Sequence, residues 1–136
     1  MFDKIFTSIG IGAATVDTKL SQAEYKQTDI INGVVEVRGG TSNQFIARIT
    51  VKFISRLHEY REDSDFDTHD KVLLEEVVLE EEDIKANTTH KFPFDLNIDG
   101  IEFPSTDDTT KLFILTEVEI GQSVDAFDED EVKIIS

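Results

Sequence analysis

The sequence predicts an all-β fold, an antiparallel β-sandwich preceded by one short N-terminal helix. Three observations lead there. Apolar and polar residues alternate with period two along several stretches, most extensively in "FIARITVKFISRLHEYR". Turn signals recur every dozen or so residues. Apart from the first ten residues, the hydrophobic spacing suits strands better than helices, and seven or more such strands in one chain argue for two packed sheets.

Taken in order, "MFDKIFTSIG" places Phe2, Ile5, Phe6 and Ile9 at helical spacing, so they form one apolar stripe over residues 1–9. Gly10 stands where a helix C′ glycine belongs. Two turns do not hold in water by themselves, so the stripe must dock, on its own domain or on a partner. "ATVDTKL" is rich in β-branched residues and reads as a strand. "DIINGVVEVRGG" is a second, with Val35 and Val37 on one face, Val34 and Glu36 on the other, and Gly39-Gly40 as its turn. In the long third strand, Ala47, Ile49, Val51, Phe53, Ser55 and Leu57 point one way. Arg48, Thr50, Lys52, Ile54, Arg56 and His58 point the other. "EDSDFDTHD" is a polar hairpin tip. "KVLLEEVVLEEED" has the Glu and Leu of a helix, but Val72, Val77 and Val78 and its neighbours favour a strand. "THKFPFDL" sets Phe92, Phe94 and Leu96 on one side, and Pro93 marks an edge or a bulge. "NIDGIEFPSTDDT" is a loop. "KLFILTEVEI" is a central strand, apolar on both faces at its start, and "DEVKIIS" is the last strand.

The 136 residues suit one domain spanning 1–136, with 39% hydrophobic and 31% charged residues. The absence of cysteine removes disulfides, thiolate metal sites and cysteine nucleophiles. The net charge of −16 opposes nucleic-acid phosphates and anionic membrane surfaces, and there is no basic cluster to offset it. No apolar run approaches the roughly 18 residues of a membrane span. No signal-peptide pattern opens the chain, so a cytoplasmic location is expected.

Gly10-Ile11-Gly12 looks like the start of a phosphate-binding loop. A dinucleotide fingerprint needs a strand before its glycines and a helix after them, with a third glycine. Here the order is reversed and Thr15 stands at the third position, so residues 10–12 read as a hinge. Asp63, Asp65 and Asp67 alternate like the first ligands of a calcium loop, but Thr68 and Leu74 stand where such a loop needs Gly and Glu. "DAFDED" offers Asp125, Asp128 and Asp130 as a second acidic loop. Oxygen-only ligands favour Ca²⁺ or Mg²⁺. A solvated acidic surface is the simpler reading, and a calcium-responsive binding module is the alternative. His58, His69 and His90 lack metal-ligand spacing, and no nucleophile-elbow pattern occurs. No cofactor site and no catalytic residue emerge.

Six segments, "IGIGAATVDTKL", "GVVEVRGG", "IARITVKF", "KFPFDL", "LFILTEVEI" and "VDAFDEDEVKI", resemble in order and spacing the bacterial sporulation-control family, stage-zero sporulation protein M. The chain departs from that family at Gln27-Thr28-Asp29, where Pro-Gly is common, at Phe113, where Trp is frequent, and in "LNIDGIEFP". Family members usually continue into a second sandwich, so the chain resembles an N-terminal half. The resemblance implies an arrestin-like, immunoglobulin-like sandwich. It also implies a non-enzymatic regulatory or scaffolding role through protein partners, with a second copy of the chain as one candidate. Docking is expected at the stripe of Phe2, Ile5, Phe6 and Ile9 or at a strand edge. Phe6→Glu should therefore leave the sandwich folded, with an unchanged circular dichroism spectrum, while weakening self-association or partner capture. A variant that unfolds would place Phe6 in the core.

Overall fold

The computed structural model describes residues 14–60, 66–104, 106–107, 109–121 and 125–135, and for residues 59, 60, 66 and 67 the backbone alone. The helix expected over 1–9 and the hinge over 10–12 lie outside these. The described chain is all-β: β1 (Thr15–Leu20), β2 (Glu24–Lys26), β3 (Ile30–Arg38), β4 (Gln44–Tyr60), β5 (Phe66–Ile84), β6 (Thr89–Asn97), β7 (Thr110–Ile120) and β8 (Ala126–Ile135). Two sheets result, a three-stranded one in the order β1-β3-β6 and a five-stranded one in the order β2-β8-β7-β4-β5. Pairing is antiparallel except where the short β2 runs parallel to β8.

Period-two alternation explains why these segments form sheets, because each strand must present one apolar face to the other sheet. Val16, Ile31, Val35, Val37, Phe94 and Leu96 come from the smaller sheet. They meet Ile49, Val51, Phe53, Leu112, Ile114, Val118 and Val132 of the larger one, and all are buried. Each such aliphatic or aromatic side chain contributes about 1.5–3 kcal/mol by leaving water. The loop after β6 also serves the core. Gly100 adopts a φ of 83°, Ile101 N donates to Ile98 O, and the turn folds Ile98 and Phe103 inward. Phe103 meets Phe53 edge to face at 5.9 Å.

The central position expected for "KLFILTEVEI" is found, since β7 lies between β4 and β8. Pro93 lies in β6, an edge strand, opposite Val34. "KVLLEEVVLEEED" is a strand, carried by its long ladder to β4. Two expectations are corrected, and one element is added. Ala47 does not face the core: the register shifts between Ile46 and Arg48, so Ile46 and Ile49 both turn inward and Ala47 is exposed. The last strand starts at Ala126, so Asp128 and Asp130 belong to a strand rather than an acidic loop. The segment "EYK" forms β2, anchored by Tyr25. That ring is buried, and its hydroxyl accepts from Gln22 N and donates to Asn32 O, each at 3.1 Å.

Gly33 pairs with Leu20 in the β1–β3 ladder, and a Cβ there would come within 2.4 Å of the Lys19 carbonyl oxygen. Gly33→Ala should destabilise the fold by roughly 1–3 kcal/mol, because β1 has to move away from β3. An unchanged urea midpoint would show that β1 yields without cost.

Candidate functional site

The described candidate acidic residues serve different parts of the fold. Asp63 and Asp65 lie outside the described residues, and Asp67 sits in β5 with only its backbone described. Asp125 accepts from Ile120 N at 3.3 Å and so closes its own turn. Asp128 is buried between the sheets, where its Oδ2 accepts from Thr18 N at 2.6 Å. Beside it the hydroxyls of Thr18 and Thr116 lie 2.7 Å apart. Asp130 is half-buried next to the β1–β2 turn, near Thr18 and Ser21. Strand geometry thus turns Asp128 and Asp130 inward towards β1, at different depths. Among the described residues, no three His, Asp or Glu side chains group to hold a metal. Phe2, Ile5, Phe6 and Ile9 lie outside the described residues.

The histidines are likewise dispersed. His58 Nδ1 lies 3.3 Å from the Thr68 hydroxyl, His69 is exposed, and His90 stacks on Phe92. Asp70 lies one strand from His58, but both of its oxygens accept from Arg56. A groove of about 840 Å³ at one end of the larger sheet is lined by Asn43, Gln44, Phe45, Asp83 and Lys85.

The outer face of the five-stranded sheet has a definite charge order. Arg56 lies over the Phe113 ring at 4.6 Å and bridges two strands. Its Nε donates to Asp70 of β5 at 2.8 Å, and its Nη2 donates to Glu129 of β8 at 2.6 Å. These bonds hold the Asp70 carboxyl below its ordinary value of 3.8 and push the guanidinium further up. Lys52 reaches Glu117 at 3.1 Å, and Arg48 comes within 3.7 Å of Glu119. Ile54, whose neighbours in the sheet are Val72 and Phe113, is buried on this face and outside the core between the sheets.

Lys52 and Arg48 of β4 therefore turn towards β7, away from β5. Glu75 lies opposite Lys52 and Glu80 opposite Arg48, and among the described residues neither Glu has an ion pair. Glu76, Glu81, Glu82 and Asp83 continue the exposed acidic run. The sequence alone could not find this arrangement, since it depends on which of two neighbours each cation chooses.

The sequence matches the family model described as SpoOM protein over residues 2–136. It is 28% identical over 131 residues to the sporulation-control protein spo0M of Bacillus subtilis (strain 168), covering 96% of this chain and 50% of that protein. The crystal structure of Spo0M from Bacillus subtilis matches with a TM-score of 0.81 at 25% identity, over 93% of this chain and 51% of that one. The chain thus spans about half the length of these relatives.

Two outcomes follow from the geometry. Asp128→Ala leaves a donor of β1 without its acceptor and should cost about 1.5–3 kcal/mol, read by urea denaturation. Asp70 has a depressed folded pKa, so its contribution is present above pH 3.8 and is lost as pH falls through the folded value. The pair is partly exposed, so that contribution is only about 0.2–1 kcal/mol. Asp70→Asn should flatten the acid limb of the stability–pH curve by that amount. An unchanged limb would mean that solvent already screens the pair.

Proposed function

The chain belongs to the SpoOM protein family, and we propose that it acts in sporulation control as a non-enzymatic regulator that works by holding protein partners in the cytoplasm. The match across residues 2–136 carries this reading. The structure supports the contact-based part of it. Arg56, Lys52, Arg48, Asp125 and Asp128 are spent on ion pairs, turn closure and the junction between the sheets. What is left outward is a long strand edge and exposed apolar side chains such as Val72 and Val77.

The experiment is affinity capture from the native host with the full chain as bait, with and without residues 1–9. Each captured protein is then purified and rebound. Direct rebinding of at least one partner at micromolar affinity or better supports the reading. If no captured protein rebinds the purified chain, the contact-based role is wrong. Loss of rebinding on removal of residues 1–9 would assign the contact to the terminal stripe.

A further inference from the structure

A two-sheet sandwich has four edge strands, and in this fold they differ in what they leave open. On β1, Thr18 N is already engaged by Asp128. On β6, Pro93 has no N–H to donate. β2 is three residues long. β5 has 19 residues, and no other described strand pairs with its outer edge.

The outer face of β5 is patterned. The ladder skips Leu73 and Val78, so each bulge turns two neighbouring apolar residues, Leu73-Leu74 and Val78-Leu79, towards the core side. Val72, Glu75, Val77 and Glu80 then stand opposite Ile54, Lys52, Thr50 and Arg48, on the outer face. Val72 is 48% exposed and Val77 44%. Glu75 and Glu80 are exposed, and the cations opposite them are turned to β7. The edge therefore shows apolar and acidic positions in alternation, beside backbone groups with no neighbouring strand among the described residues.

We propose that the free edge of β5 receives a short extended segment of a partner protein in which β-branched residues and Lys or Arg take turns at every second position, so that both lie on one face. The inference rests on the reading of the chain as a protein-binding module and assigns that module a surface. The added strand would place apolar side chains beside Val72 and Val77 and cations beside Glu75 and Glu80. Cross-strand neighbours of this kind lie about 4.5–5.5 Å apart at Cβ. Backbone hydrogen bonds supply the pairing, and the side chains supply the selection. The same charges bar a second copy of the chain from this edge. β5 carries eight acidic residues against Lys71, so β5 on β5 would set acid against acid. The bulges favour a short segment over a long flat ladder, because the stretch between them runs only from Leu74 to Val77.

The test uses the full chain and the seven-residue peptide Lys-Thr-Val-Thr-Lys-Thr-Val, blocked at both ends, which sets its Lys and Val side chains on one face of a strand. Its comparators are the same peptide N-methylated at alternate residues and the same peptide with Glu in place of both Lys. Binding is read by fluorescence anisotropy, and the site by amide chemical shifts. The expected result is saturable binding of the Lys-containing peptide with shifts centred on residues 72–80. Neither comparator should bind, and Glu75→Lys with Glu80→Lys should weaken the complex roughly tenfold or more. Absence of binding, equal binding of the N-methylated peptide, or shifts confined to other strands overturns the proposal. Dimerisation through β5 overturns it as well. Direct rebinding of captured host proteins is a separate readout, so loss of this surface and loss of the protein-binding role are told apart.

Discussion

Every open β-sheet ends in strands whose outer N–H and C=O groups lack a strand partner, and most features of this domain answer that constraint. On β1 the answer is a side chain: the buried Asp128 carboxylate accepts from Thr18 N and at the same time ties the small sheet to β8 of the large one. On β6 it is Pro93, which removes a donor. β2 is short and is pinned by Tyr25, whose hydroxyl satisfies the turn around it. β5 alone is long, and its protection is electrostatic and geometric: unpaired carboxylates, two bulges, and Glu81 at a φ of 52°. That protection deters like charge and leaves opposite charge free to approach.

The net charge of −16 is therefore not spread evenly. On the face of the large sheet, Arg56, Lys52 and Arg48 are paired with acids from β5, β7 and β8, and Arg56 lies across Phe113. Pairs of this exposure add little stability each, but they decide which carboxylates remain unbalanced. Because Lys52 and Arg48 lean to β7, the surplus gathers along β5. Among the described residues, this edge is where uncommitted carboxylates gather.

Much of the architecture was legible in the residues themselves. Val35 and Val37, Phe92, Phe94 and Leu96, and the alternation from Ile49 to Ser55 all mark the core face, because period two leaves little freedom once one face must be buried. Pro93 announced an edge. The failures have one cause, that pairing depends on a neighbour far away in sequence. Unbroken alternation points Ala47 inward, whereas the bulge against β7 reverses the phase. Asp128 and Asp130 looked like loop ligands, whereas pairing with β7 extends β8 through them. Tyr25 lies in a three-residue strand too short to show a period, and only its burial against β8 makes it an anchor. Of the candidate site, the sequence offered acidic clusters and a generic edge.

By itself, then, the sequence determined an all-β chain of two sheets and a strongly acidic character, because alternation and composition are local properties. The tertiary structure decided which strand is left at an edge, which carboxylates find cations, and that Asp128 becomes a buried tie between the sheets. Those outcomes turn on partners up to 110 positions apart along the chain, as between Thr18 and Asp128. No local pattern encodes which of two neighbours a side chain will meet.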